Sequence, residues 1–297
     1  MQQELIIAIG TGLGGMLGWG FADFFAKKTV DEIGSVASLV WAHIFGVVAL
    51  GGFALYQFVF HHHVFIPLDP KNWGVLGFFG SLQALIYFLV YEGFRKGQLA
   101  VLSPVFASYS GLTALFSVAV LGEVVRIPLL FALATIFVGI LLLNIDMQAL
   151  RSGQLKIIGA PGLKEVGVAA LLAAFWTVSW DQFIKGKDWI EYALLMYAFM
   201  TLAAWAISRF QKTDLKIKNV GLWKFLILIG ACEVIAYLSI SWGFSATRYL
   251  SIVAILSSAF SLPVMILARS FLKEKIGTIQ TIGGIAIVSG IILLSLF

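Results

Sequence analysis

Glu233 stands near the middle of an apolar stretch, with Tyr237 one helical turn further on and therefore on the same face. An ionised side chain at the centre of a membrane helix costs about 2.5–3.5 kcal/mol on insertion scales, so a carboxylate retained there is a functional candidate. It can bind a proton or pair with a cationic group of a solute, and the alternative is a structural hydrogen bond to Gln83. Asp23 and Asp181 each open a D-x-F-x-K pattern whose lysines, Lys27 and Lys185, lie at i+4. They read either as Asp–Lys pairs near helix ends or as entry groups at opposite membrane faces. Tyr87, Tyr237, Trp19 and Trp176, with Trp180, are suited to stack on an aromatic or quaternary-ammonium solute, whereas Trp242 reads as part of an interfacial aromatic belt.

Other residues carry weaker signals. His43, deep in an apolar stretch, is either a proton relay or a hydrogen-bonded structural group. The run His61-His62-His63 has no carboxylate or cysteine at metal-site spacing, so it reads as a solvated loop and no metal site is expected. Phosphate-binding Gly-rich loops, G-x-S-x-G elbows and H-E-x-x-H zinc motifs are all absent from the sequence, and neither catalytic residues nor a cofactor are expected. The single cysteine, Cys232, lies in an apolar stretch and reads as a small buried hydrophobe.

The elements that must position these groups follow from composition. The chain is 60% hydrophobic and 12% charged, with a mean hydropathy of +0.98, against about 45–50% and about 25% in soluble domains. A hydrocarbon core of about 30 Å takes roughly 20 helical residues. Ten stretches qualify, near residues 5–26, 35–59, 73–94, 99–121, 127–145, 164–184, 191–209, 222–243, 249–271 and 278–296. Breaks are expected at Lys27-Lys28, Pro67 to Lys71 and Lys212 to Lys218. The first stretch lacks a basic leader and a cleavage site, so it is expected to be a retained span rather than a signal peptide. Ten spans put both termini on one side and divide the Lys and Arg residues 15 to 5 between the two faces. The positive-inside rule places the richer face in the cytoplasm and the termini outside. The net charge of +5 resides in short loops rather than on one domain face, which argues against nucleic acid as a partner.

An internal repeat runs through the spans. Gly80, Gln83, Tyr87, Gly93 and Phe94 recur as Gly230, Glu233, Tyr237, Gly243 and Phe244 at a constant offset of 150. Pro104 and Pro263 stand amid serines in spans 4 and 9, where they are expected to bend the helix, as gating hinges or as static kinks. Gly10, Gly14 and Gly18 form overlapping G-x-x-x-G steps for close helix approach. Five spans per half is an odd number, so the second half enters the membrane inverted. The expected fold is an all-α integral membrane protein of ten transmembrane helices in two inverted five-helix repeats, 1–147 and 163–297. Inverted repeats characterise secondary transporters with a site near the midplane.

Gly18-Trp19-Gly20 with Lys27, Gly97-Gln98-Leu99-Ala100 through Pro104, and Leu121-Gly122-Glu123 resemble motifs of the drug/metabolite transporter superfamily, within it the ten-span EamA-like group. The second repeat departs from that pattern, with Lys273-Glu274 for Gly-Glu and Phe175-Trp176-Thr177 for Gly-Trp-Gly. The resemblance implies a carrier in a bacterial or archaeal cell membrane, often an exporter of amino acids, metabolites or drugs through a central cavity, with cytoplasmic termini. It is compatible with a monomer or a homodimer, and with protons as the coupling ion. A nucleotide-sugar or phosphorylated-metabolite antiporter is the transport alternative, although such a site calls for several Lys or Arg within the spans. A non-transporting receptor or scaffold is the alternative of another class.

Overall fold

The computed structural model describes residues 2–63, 69–96, 99–144, 161–273 and 276–296, and every regular element among them is helical. With no water in the bilayer core to satisfy the backbone, an isolated apolar segment crosses only as a helix. The α-helices are α1 (Gln2–Ile33), α2 (Ser35–Phe60), α3 (Pro70–Lys96), α4 (Leu99–Ala107), α5 (Tyr109–Ala119), α6 (Ile127–Leu143), α7 (Leu163–Ile184), α8 (Trp189–Phe210), α9 (Trp223–Ala246), α10 (Leu250–Ser258), α11 (Ser261–Phe271) and α12 (Thr278–Ser295). Taken in line, α4 with α5 and α10 with α11, they make ten crossings, as expected from the sequence. Thr11, Ser110, Thr113 and Ser241 are buried while Leu115, Phe131, Leu171 and Ile285 face outward, the arrangement lipid demands.

Two expected boundaries are corrected. Helix α1 does not break at Lys27-Lys28 but continues to Ile33, and the chain turns at Gly34, whose φ of 79° suits glycine. Spans 4 and 9 are each two helices, interrupted at Ser108 and at Ala259–Phe260. Pro263 explains the second interruption. It has no N–H for the Ala259 carbonyl four residues back, which accepts instead from Leu262 N at 2.9 Å. Pro104 does not explain the first, because the carbonyl it would free is that of Ala100, at the start of α4. The Ser108 and Ser110 hydroxyls donate there to the Val105 and Ala107 carbonyls at 2.6 and 3.2 Å, and Ser257 and Ser258 donate likewise to Ala254 and Ile255. The interruption is thus common to both repeats, and the prolines are not.

Packing follows the inverted repeat. Helix α1 lies along α9 as α7 lies along α3; α3 meets α8 as α9 meets α2; α2 pairs with α8 and α6 with α12. Repeat glycines make the closest approaches. A Cβ on Gly80 would stand 2.6 Å from the Met196 carbonyl of α8, and one on Gly230 2.5 Å from the Ala42 carbonyl of α2. Of the G-x-x-x-G steps in α1, Gly14 and Gly18 meet α9, whereas Gly10 faces open space. Gly12 and Gly20, outside that pattern, receive α10 and α11. Replacing Gly230 with alanine is expected to destabilise by about 1–3 kcal/mol, the usual cost of overpacking. Gly167, which has no neighbour within 4 Å, should accept alanine without loss. Thermal unfolding of the two variants in the same detergent checks this.

Candidate functional site

Where the interrupted helices face α1, α3 and α7, the bundle holds a cavity of about 320 Å³. Both repeats build its wall: Trp19 and Asp23 from α1; Gln83, Tyr87 and Tyr91 from α3; Ser103 and Phe106 from α4; Trp176 and Thr177 from α7; and Ser257, Ser258, Phe260 and Ser261 around the α10–α11 interruption. Most of these residues lie in the C-terminal halves of α1 and α3 or near the start of α4. The cavity therefore extends from mid-membrane toward the face where α1 ends, the one richer in Lys and Arg. Asn144, which follows α6, ties one end together: its Oδ1 accepts from Ser103 Oγ at 2.6 Å, and its Nδ2 donates to the Ile140 carbonyl at 2.8 Å and to Ser261 Oγ at 3.3 Å.

The wall is aromatic with sparse polarity. Trp19 meets Tyr237 edge-on at 5.7 Å between ring centroids and Phe260 at 6.4 Å. Trp176 is held by its Nε1 donating to the Phe79 carbonyl at 3.0 Å and stacks on Trp180 at 5.6 Å. Asp23 is exposed to this space and is the single carboxylate among the described wall residues, which include no Lys, Arg or His. Trp19 Nε1, a donor, and Gln83 Oε1, an acceptor, are buried in the wall without a protein partner. Such a surface can take an aromatic or apolar solute carrying a positive charge and one or two hydrogen-bonding groups.

Of the eight candidate binding or coupling residues, the cavity collects Trp19, Asp23, Gln83, Tyr87 and Trp176. Tyr237 and Glu233 lie behind its wall. Gln83 does not bond Glu233 as the structural alternative supposed; its Nε2 donates to the Tyr237 hydroxyl at 3.1 Å. Glu233 is buried and accepts from the Tyr197 hydroxyl at 2.6 Å, with His43 Nε2 3.7 Å away. Sequence spacing could not reveal Tyr197, which stands on a different helix, 36 residues from Glu233. Ser103, Asn144 and the serines at the α10–α11 interruption were likewise missed; the serine clusters beside the prolines were the available signal.

Asp181 sits at the opposite face, where Lys185 Nζ donates to it at 2.8 Å. Contacts between the repeats also link that face. Asn72 donates to the Tyr192 hydroxyl at 2.8 Å, and Arg248 to Glu4 at 2.8 Å. Glu123 accepts from the Ser251 N–H and hydroxyl at 3.0 and 2.5 Å, and from the Ser117 hydroxyl, so it caps the N-terminus of α10 from the other repeat. His63 pairs with Asp188, a partner 125 residues away that the local spacing around the histidine run does not show. Among the described residues no three His, Cys, Asp or Glu side chains converge as a metal site. Pro263 packs on Gly20 beside Phe260 of the cavity wall. Gln98 and Glu274 lie outside the described residues.

The chain superposes on a solved crystal structure to which it is 16% identical, with a TM-score of 0.75 over 97% of this chain and 96% of that one, a likeness of fold. No curated protein matches the sequence. The EamA-like transporter family matches twice, over residues 6–145 and 165–296, once for each half of the bundle. An integral membrane bundle of ten helices in two such halves, with a cavity between them, is a membrane transporter of the drug/metabolite type, and the chain belongs to the EamA-like transporter family.

Proposed function

We propose that this transporter is a secondary carrier for a small organic cation with an aromatic or apolar body, taken up from the face on which the cavity opens and released at the other by alternating access. The observation that carries this reading is Asp23, a lone carboxylate in an aromatic wall without a basic residue among its described members. A cation desolvated against Trp19, Tyr87 and Trp176 gains both the carboxylate and the ring faces, whereas an anion would meet like charge. The same absence of basic residues disfavours the nucleotide-sugar or phosphorylated-metabolite antiporter. A receptor or scaffold has no use for a cavity shared by two rocking halves.

With the Lys- and Arg-rich face in the cytoplasm, the cavity opens inward and the carrier works as an exporter from a bacterial or archaeal cell membrane. Helices from both repeats contribute to the wall, so rocking one repeat against the other would part the Glu123–Ser251 contact and bring the cavity to the opposite face.

Proteoliposomes preloaded with unlabelled phenyltrimethylammonium should take up the labelled cation by counterflow and should not exchange 3-phenylpropionate. Asp23→Asn is expected to weaken cation uptake about 30-fold, near the low end of the roughly 2–5 kcal/mol for losing one partner of a desolvated charge pair. Equal exchange of cation and anion would refute the assigned specificity, and exchange of neither would refute the carrier.

Orientation has its own check. In a Cys232→Ala background, a membrane-impermeant maleimide applied to intact cells should label Lys187→Cys and spare Lys218→Cys. The reverse pattern would place the termini in the cytoplasm.

A further inference from the structure

Behind the cavity wall, α2, α8 and α9 meet around three buried side chains, His43, Tyr197 and Glu233. The two ring nitrogens of His43 have different surroundings. Nδ1 lies 2.7 Å from the Leu39 carbonyl, an oxygen that can only accept, so Nδ1 carries a hydrogen. In the neutral ring Nε2 is then a bare lone pair, and it is buried without a hydrogen-bond partner, 3.7 Å from a Glu233 oxygen. A bare lone pair facing a carboxylate oxygen bonded only by the Tyr197 hydroxyl is unfavourable on both sides in a low-dielectric interior. One proton removes the conflict, either on Nε2 as an imidazolium–carboxylate pair or on Glu233 as a neutral acid. With it the pair has net charge zero, and without it the pair carries −1.

Glu233 receives one hydrogen bond, from Tyr197 on α8, and its single ion-pair partner among the described residues is His43 on α2. Among the described residues, the other titratable groups that feel its charge include Tyr237 and Cys232 on its own helix, Tyr87 and Tyr91 on α3, and Asp23 on α1.

The pair is also one side chain away from the cavity. The Tyr237 ring touches Tyr197 at 5.2 Å on one side and Trp19 at 5.7 Å on the other. Tyr87, in the cavity wall, stands edge-on to His43 at 6.0 Å. A cation seated in the cavity therefore lies within range of the pair's net charge across an apolar layer.

We propose that His43 and Glu233 together form a proton-binding site that a cationic solute empties. The cation enters the cavity, one proton leaves the His43–Glu233 pair for water, and the pair's charge of −1 offsets the bound cation. This rests on the reading of the cavity as a cation carrier, and it makes the transport cycle an exchange of one cation against one proton.

Phenyltrimethylammonium is the probe, because its permanent charge can neither take up nor give off a proton. Its binding to the purified full-length protein is measured in detergent from mildly acidic to alkaline pH, beside counterflow in proteoliposomes. Wild type is expected to bind about tenfold more tightly for each unit of rising pH until the pair has lost its proton, the slope of one proton released per cation. Glu233→Gln keeps an acceptor for Tyr197 and should show a flat profile, whatever its absolute affinity. His43→Gln removes the imidazole half of the pair, so its pH profile should depart from that of wild type. A role confined to packing would change affinity without moving the slope.

A flat wild-type profile with counterflow intact would overturn the proton site and leave the carrier standing. A slope that survives in Glu233→Gln would also overturn it, since the proton would then come from elsewhere, with Asp23 the first suspect. Neither binding nor counterflow in wild type would bring down the carrier reading and this inference together.

Discussion

In the bilayer core a polar group has no water to turn to, so each one must find its partner inside the protein. Most of this bundle meets that demand with uninterrupted helices and with hydroxyls turned back onto their own helix, as Thr113 donates to Tyr109 at 2.9 Å and Thr177 to Ala173 at 2.8 Å. Two spans are interrupted at mid-membrane, and there the demand shapes the site. Serines at Ser108, Ser110, Ser257 and Ser258 return to nearby carbonyls, and Asn144 gathers Ser103 and Ser261. The cavity forms where irregular backbone is tolerated, at the junction of the two repeats, and three of its polar groups, Ser257, Ser258 and Ser261, flank the α10–α11 interruption.

The repeat also explains which contacts can distinguish the two faces. Arg248 with Glu4 on one face has its counterpart in Lys96 with Glu165 at 2.8 Å on the other. Asn72 with Tyr192 and His63 with Asp188 are likewise answered by Asn219 with Glu32 at 2.8 Å. Ties present on both faces hold the rim of the bundle and do not set which side is open. The Glu123 cap on α10 lies instead at the end of an interrupted helix, so it joins a half-helix to the opposite repeat on the face away from the cavity. Closure on that face is built around a helix N-terminus and its acidic cap.

The periodic and compositional features of this fold were legible in the sequence, and the three-dimensional pairings were not. Ten apolar stretches and an offset of 150 residues carry the number of helices and their inversion. Gly80 and Gly230, matched in that register, make equivalent close contacts on α8 and α2. The Lys27-Lys28 boundary failed because two lysines near a membrane surface can extend into solvent without ending a helix, whereas the conformation at Gly34 does end it. Pro104 and Pro263 looked equivalent by composition, yet they are 159 residues apart and out of register with the repeat, and the structure places the interruption by serines in one half and by proline in the other. Tyr197 at Glu233, and Asp188 at His63, come from distant segments and leave no spacing to detect.

Gln83 and Glu233 occupy the same position in the two repeats, yet the fold gives them different neighbours. Gln83 reaches the cavity and holds Tyr237 by a neutral hydrogen bond, while Glu233 is withdrawn behind Tyr237 among His43 and Tyr197. A carboxylate in both places would put two like charges on either side of one tyrosine, with a single histidine to offset them. An amide in both would leave His43 without a carboxylate partner behind the wall. On the proposed reading, the pair would hold one charge behind the wall and leave the cavity surface to Asp23, so that a solute's charge would be felt at two depths, from α1 and from α9. A duplicated fold supplied two equivalent positions, and on the proposed reading the divergence of one residue at that position would separate contact with the solute from response to its charge.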